Sequence, residues 1–111
     1  MTTTRKREKI HVMALETDSV IETTRSRRGT FGDIFNELFA AAAAEHDPPL
    51  EAETQIHFVV EPEGGSIPDL SELETHKIEA VCLSGSKYDA FSNDEWILRL
   101  VKWIQGLLSI L

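Results

Sequence analysis

The residues best suited to chemistry follow a short apolar run late in the chain. Residues 78–83 are rich in β-forming side chains, and the loop that follows consists of Ser84, Gly85, Ser86 and Lys87. This pattern predicts a buried strand that ends in a tight loop of small residues. Backbone N–H groups in such a loop suit a phosphate, a carboxylate or an oxyanion. The same pattern also fits a plain turn in which Gly85 adopts a positive φ.

Other reactive side chains are few. Cys82 is the single cysteine, and its place within the predicted third strand predicts a buried and unreactive thiol. None of the four histidines has a second donor at a metal-ligand spacing, so we expect no metal and no cofactor. One cysteine excludes an internal disulfide, and the absence of a signal-peptide pattern favours a cytoplasmic protein.

The loop needs a scaffold, and the apolar pattern predicts alternating strands and helices. Strands are predicted at residues 9–15, 54–61 and 78–83, and helices at residues 31–46 and 94–110. A short helical turn is expected at residues 69–74 and a polar loop at residues 19–29. This order is typical of a parallel sheet with right-handed crossovers. We therefore expect an α/β fold, a partial doubly wound sheet with strand order 2-1-3 and helices on both faces.

Both long helices carry start signals and apolar faces. Thr30 and Asp33 have the spacing of a capping box, and so do Ser92 and Glu95. The first helix presents an apolar stripe that predicts core packing. That stripe consists of Phe31, Ile34, Phe35, Leu38 and Phe39. The last helix is apolar around most of its circumference, which predicts exposed apolar surface at Trp96, Trp103 and Leu107.

Length and charge limit the classes of function. At 111 residues the chain has room for one domain, expected at residues 9–111 after a disordered lead-in at residues 1–8. The formal net charge is −8, with +3 on residues 1–28 and −11 on the rest. An acidic body disfavours nucleic acid as a partner. No apolar run is long enough to cross a bilayer, so we expect no membrane partner.

Several segments together resemble the N-terminal part of class I glutamine amidotransferases. The closest similarity is to the amidotransferase domain of GMP synthase, over roughly residues 9–108. The matching segments are Leu15-Glu16-Thr17-Asp18, Gly29-Thr30-Phe31-Gly32-Asp33-Ile34-Phe35, Ile67-Pro68-Asp69, residues 80–91 and Asp94-Glu95-Trp96-Ile97.

The resemblance implies a flavodoxin-like α/β sandwich and hydrolysis of the glutamine side-chain amide, which releases ammonia. In that family a Cys attacks the amide carbon, a His transfers protons and a Glu orients the His. Backbone N–H groups around Gly85 and Ser86 would hold the oxyanion, although many relatives have a second glycine at the position of Ser86. The family's Gly-x-Cys-x-Gly elbow and its later His and Glu are missing from these residues. Cys82 cannot replace the nucleophile, so we expect a truncated, inactive relative, with glutamine as the family substrate.

Two further hypotheses stay open. In one, residues from Ser84 to Lys87 form an anion cradle for a phosphorylated ligand. In the other, the chain is an assembly or regulatory module that associates with itself or with a relative through Trp96, Trp103 and Leu107.

Overall fold

A three-stranded parallel sheet forms the centre of the protein. The computed structural model describes residues 7–89 and 92–110. Strands β1 (Lys9–Glu16), β2 (Glu51–Phe58) and β3 (Ala80–Leu83) lie in the order β2-β1-β3. The predicted α/β class, the parallel pairing and the order 2-1-3 are thus confirmed. Of the predicted lead-in at residues 1–8, residues 1–6 lie outside the described part of the chain.

The central strand is β1 because its side chains are the most apolar. Val12, Met13, Ala14 and Leu15 are all buried, and such a continuous apolar run is typical of a strand covered on both faces. Its register with β2 runs from Lys9 opposite Glu51 to Glu16 opposite Phe58. That pairing explains why β2 lies three residues before its predicted place. The predicted last residues of β2 instead form a turn, in which Gly65 donates its N–H to the Val60 carbonyl at 2.9 Å.

In the residues that the structure describes, four α-helices and one 3₁₀ turn connect and cover the strands. They are α1 (Glu22–Arg28), α2 (Phe31–Glu45), α3 (Ser71–Thr75) and α4 (Glu95–Ser109), with the 3₁₀ turn at Glu61–Glu63. The predicted polar loop at residues 19–29 is therefore wrong in its centre, where α1 lies. This helix buries no side chain, so it leaves no apolar period in the sequence. Its acidic first turn and basic last turn suit the helix dipole.

The capping box predicted for α2 is confirmed. Thr30 Oγ1 accepts a hydrogen bond from the Asp33 N–H at 3.3 Å, and Asp33 Oδ2 accepts one from the Thr30 N–H at 2.9 Å. Four residues of the predicted apolar stripe of α2 are half-buried, whereas Leu38 is 56% exposed. At α4 the capping box is absent. Ser92 Oγ instead accepts a hydrogen bond from the N–H of Asp94 at 3.2 Å, and Asp94 lies one residue before the first residue of the helix, Glu95.

The core lies between the sheet and α4. Met13 and Leu15 of β1 share one buried cluster with Trp96, Leu100 and Trp103. Trp103 also donates its indole N–H to the Pro68 carbonyl at 2.8 Å.

Burial of the α4 tryptophans corrects the predicted docking surface. Trp96 and Trp103 are 4% and 7% exposed and Leu107 is half-buried. These side chains cannot form the expected apolar patch because the sheet already covers them. The apolar residues that α4 does expose lie on another side of the helix.

The third strand differs from its prediction in burial. It spans Ala80–Leu83 rather than residues 78–83, and it lies at an edge of the sheet. Val81 and Cys82 are half-buried, whereas Ala80 and Leu83 are exposed. An apolar run of four residues can belong to an edge strand as well as to a buried one, and the sequence does not distinguish the two.

Within residues 7–89 and 92–110, no helix is long and apolar enough to cross a membrane.

Candidate functional site

The loops after β1 and β3 meet at the carboxyl edge of the sheet. Thr17, just beyond β1, donates its N–H to Ser84 Oγ at 2.9 Å and its hydroxyl to the Ser84 carbonyl at 2.8 Å. Both residues are buried. Ser86 Oγ donates to the Thr17 carbonyl at 2.7 Å and accepts from the Tyr88 N–H at 3.0 Å. Because parallel strands end at the same edge, residues 67 positions apart become direct partners.

An acidic side chain fixes the next part of the loop. Asp18 accepts a hydrogen bond from the Lys87 N–H at 2.8 Å, and the Lys87 ammonium lies 3.5 Å from its other carboxylate oxygen. Partial burial opposes ionisation of Asp18. The N–H groups of Lys87 and Ser19 and the Lys87 charge outweigh this effect and lower the pKa of Asp18. Lys87, which the sequence analysis predicted as an anion-binding residue, is therefore paired with Asp18 of the same chain.

Tyr88 and Glu63 close the same loop from the other side. The Tyr88 hydroxyl donates to Glu63 at 2.6 Å, and Ser19 Oγ donates to the other oxygen at 3.4 Å. The Tyr88 ring packs edge-on against Trp96, with ring centroids 5.1 Å apart. Hydrogen bonding to Glu63 favours the neutral phenol, and it raises the pKa of Tyr88 to about 12. The loop is thus held at Thr17, Asp18 and Glu63.

In the loop from Ser84 to Tyr88, the backbone N–H groups of Gly85 and Ser86 have no acceptor in the described chain. Both residues are exposed, and within the described chain neither N–H donates to an acceptor. Positive φ occurs at Gly29, Gly64 and Lys77, so a turn that requires positive φ does not explain Gly85. A Cβ at Gly85 would meet no atom within 4 Å. The glycine is therefore needed neither for backbone conformation nor for packing against the described chain.

Glu16, beside this loop, is buried, which its place at the polar end of a predicted strand does not indicate. Glu16 is 5% exposed, and its carboxylate accepts the Gly32 N–H at 2.7 Å at the start of α2. A helix N-terminus is where doubly wound proteins bind anions. Here a side chain of the protein itself occupies that position. Glu16 also lines a cavity of about 400 Å³, together with Asp18, Arg25 and Glu63.

These contacts determine what the edge can bind. Ser84 points its hydroxyl into the buried contact with Thr17, and Lys87 lies between the carboxylates of Asp18 and Glu63. Neither predicted anion-binding side chain is available to a ligand in this arrangement. A small polar group that accepts backbone hydrogen bonds, such as a carbonyl oxygen, fits the edge better.

The single thiol is not poised for catalysis. Cys82 is half-buried in β3, and burial raises the pKa of its thiol. Little thiolate is present near neutral pH, and the thiolate is the nucleophilic form. Among residues 7–89 and 92–110, no group of three or more His, Cys, Asp and Glu side chains could hold a metal ion.

Sequence reasoning identified the loop but not its partners. Asp18 lies in the Leu15-Glu16-Thr17-Asp18 segment after the first predicted strand, but nothing in the sequence pairs it with Lys87. Glu63 and Tyr88 are 25 positions apart, and no local pattern connects them.

Comparisons with family models, with curated proteins and with solved structures give no match.

Proposed function

We propose that this chain is the N-terminal part of a class I glutamine amidotransferase-like domain and that, alone, it does not hydrolyse glutamine. The resemblance of its sequence segments to that family suggests the reaction. One structural observation supports the proposal most: Gly85 and Ser86 are exposed, lie just beyond β3 and have N–H groups that lack acceptors in the described chain.

The role that we assign to the loop is to stabilise negative charge. When a thiolate attacks the side-chain amide carbon of glutamine, the carbonyl oxygen becomes an oxyanion in a tetrahedral intermediate. Amides already aimed at that oxygen stabilise it without reorganisation. The contacts of the loop with Thr17 and Asp18 would keep the Gly85 and Ser86 donors in place. A glycine at position 85 would let a substrate approach the backbone closely.

The nucleophile is the missing part. The only cysteine, Cys82, has a raised thiol pKa and lies in β3 rather than on a loop at the carboxyl edge. In the family the attacking cysteine lies in an elbow after the helix that follows β3, and these residues contain no such elbow. Because a single cysteine cannot form an internal disulfide, we infer a protein of the reducing cytoplasm.

The first experiment is a glutaminase assay with ammonia detection on the purified chain. We expect no turnover above background. Turnover that is lost on Cys82→Ala would overturn the proposal, because it would make the β3 thiol the nucleophile.

The second experiment reads the transcript beyond the Leu111 codon. We expect an in-frame or spliced continuation that encodes a Gly-x-Cys-x-Gly elbow, and a continuation without one would contradict the proposal. In the extended protein, Gly85→Pro removes one amide donor and should lower kcat about 100-fold or more. Gly85→Ala is the matched control, because it keeps the amide and its Cβ enters open space. Equal kcat for the two variants would refute the role of the Gly85 amide.

A further inference from the structure

A pair of arginines lies just before the start of α2, and the proposed function does not use it. Arg27 and Arg28 form the end of α1, and Gly29, Thr30 and Phe31 follow them in the chain. Arginines three and two residues before a threonine, with an apolar residue directly after it, are the charge pattern that arginine-directed protein kinases select. The sequence around Thr30 is therefore typical of a site that accepts a phosphoryl group.

Both arginines are accessible to a partner. Arg27 and Arg28 are exposed. Within residues 7–89 and 92–110, Arg27 makes no ion pair, and Arg28 makes a surface pair with Glu37 at 3.0 Å. An exposed ion pair contributes little to stability, so the acidic side chains of a kinase can replace Glu37.

The segment can also open at small cost. A kinase binds the residues around its target as an extended segment, so α1 has to unwind at its end. This helix has seven residues and buries no side chain, and a helix so short is marginal by itself. Gly29 and Thr30 are already outside a helical conformation, with φ values of 82° and −84°. Local unfolding of α1 therefore breaks few contacts.

The Thr30 hydroxyl has room for a phosphoryl group. It accepts the Asp33 N–H at 3.3 Å, a long hydrogen bond, and it donates to no acceptor among the described residues. Thr30 is half-buried and lines the cavity of about 400 Å³ that Glu16 and Arg25 also line. A group attached to Thr30 Oγ1 therefore enters open volume rather than packed side chains.

We propose that Thr30 is a phosphorylation site for a protein kinase that selects arginine two and three residues before its target. The kinase transfers the γ-phosphoryl group of ATP. A bond forms between the γ-phosphorus and Thr30 Oγ1, the bond from that phosphorus to the β–γ bridging oxygen breaks, and ADP leaves. The hydroxyl proton passes to the catalytic carboxylate of the kinase. The product carries about −1.5 to −2 charges on Thr30 near neutral pH.

The phosphate competes with Glu16 for the start of α2. Glu16 is buried, and its carboxylate already accepts the Gly32 N–H at 2.7 Å there. A phosphate on Thr30 enters the same cavity, and like charges repel strongly where little water separates them. Arg25 lines the cavity without an ion pair in the described chain, so its guanidinium is the cation that binds the phosphate. Phosphorylation therefore weakens the contact that joins the end of β1 to α2.

The test incubates the purified full chain with ATP, Mg²⁺ and the catalytic subunit of cAMP-dependent protein kinase, which has this arginine preference. We expect one phosphoryl group per chain, located at Thr30 by tandem mass spectrometry. Arg27→Gln and Arg28→Gln should each slow the transfer by about tenfold or more, because each removes a charge that the kinase binds. Arg25→Gln is the matched control: it removes a charge from the same helix outside the two selected positions, and it should leave the rate within about threefold.

A peptide of residues 24–33 separates the sequence pattern from the fold. Phosphorylation of the peptide but not of the full chain would overturn the proposal, because the fold would then withhold Thr30. The proposal would equally be wrong if the phosphate lay on Ser26, or if Arg25→Gln slowed the transfer as much as Arg27→Gln. Thr30→Val lacks the hydroxyl and should accept no phosphate. Far-ultraviolet circular dichroism checks that every variant remains folded.

Urea denaturation of the phosphorylated and unmodified chains tests the competition with Glu16. Phosphorylation should shift the urea midpoint to lower concentration by more in the parent than in Glu16→Gln, because the neutral amide does not repel the phosphate. Equal shifts in the two backgrounds would overturn the competition with Glu16. The glutaminase assay needs neither Thr30 nor a kinase, so this proposal and the proposed function fail separately.

Discussion

Glu16 offers the most direct test of how the strand ends are held together. Its carboxylate is buried and accepts the Gly32 N–H at 2.7 Å, at the first turn of the 15-residue α2. Glu16→Ala removes the acceptor and leaves the Gly32 donor without its partner. Glu16→Gln keeps an oxygen acceptor of similar length but removes the charge. Comparing the two separates the hydrogen bond from the charge.

The expected magnitudes follow from the burial of the contact. A hydrogen bond to a charged group contributes about 1.5–3 kcal/mol, and leaving a buried donor unpaired costs about the same. A negative charge at a helix N-terminus adds up to ~2 kcal/mol when it is partly buried. We therefore expect Glu16→Ala to lower the free energy of unfolding by about 2–4 kcal/mol, and Glu16→Gln by about 1–2 kcal/mol. Such losses are a large fraction of the stability of a small domain.

Urea denaturation followed by tryptophan fluorescence measures these changes. Both tryptophans, Trp96 and Trp103, are buried in the core, so their emission reports global unfolding. Glu37→Ala is the control, because Glu37 is exposed and pairs with Arg28 at 3.0 Å on the surface; it should cost less than about 0.5 kcal/mol. A Glu16→Ala variant within 0.5 kcal/mol of the parent would refute the assigned role of Glu16.

Three further predictions concern packing and the loop after β3. Gly32→Ala should destabilise the protein by about 1–3 kcal/mol, because its Cβ overlaps the Ile56 side chain; in urea titrations, Ile56→Ala should remove most of that difference. Asp18→Asn should lower the hydrogen-exchange protection factors of the loop amides at neutral pH. Acid should lower the same protection factors in the parent: the pKa of Asp18 is lowered, so its contribution is present above its unfolded pKa and is lost as pH falls through the folded one. Unchanged protection factors would contradict the loop contacts. Tyr88 has a pKa of about 12, so its contribution to stability is complete below its unfolded pKa near 10 and is lost as pH rises through 12. Ultraviolet titration should show that Glu63→Gln lowers the pKa of Tyr88. An unchanged pKa would exclude the hydrogen bond to Glu63 as the cause of the shift.

Local patterns determined much of the scaffold. The apolar run of β1 predicted a strand, the Thr30 and Asp33 spacing predicted the start of α2, and the alternation of elements predicted a parallel sheet. These features depend on residues a few positions apart, which the chain order displays directly. The same reasoning placed a loop of small residues after β3, and Gly85 and Ser86 of that loop are exposed.

Features that depend on distant contacts could not be read in this way. The α1 helix buries no side chain and has no apolar period, so the sequence pattern predicts a loop there. The register with β1 moved β2 along the chain. Packing against the sheet, rather than the composition of α4, decided that Trp96 and Trp103 are buried.

The candidate site shows the same division. Residue types alone predicted a loop of small residues suited to backbone donors, with a plain turn as the alternative, and the family resemblance pointed to Gly85 and Ser86. Only the tertiary structure decided that Lys87 is paired with Asp18, that Tyr88 binds Glu63 and that Glu16 fills the helix N-terminus. Those partners lie 69, 25 and 16 positions apart. Folding brings them together because parallel strands end at one edge of the sheet, a relation that the linear order of residues does not contain.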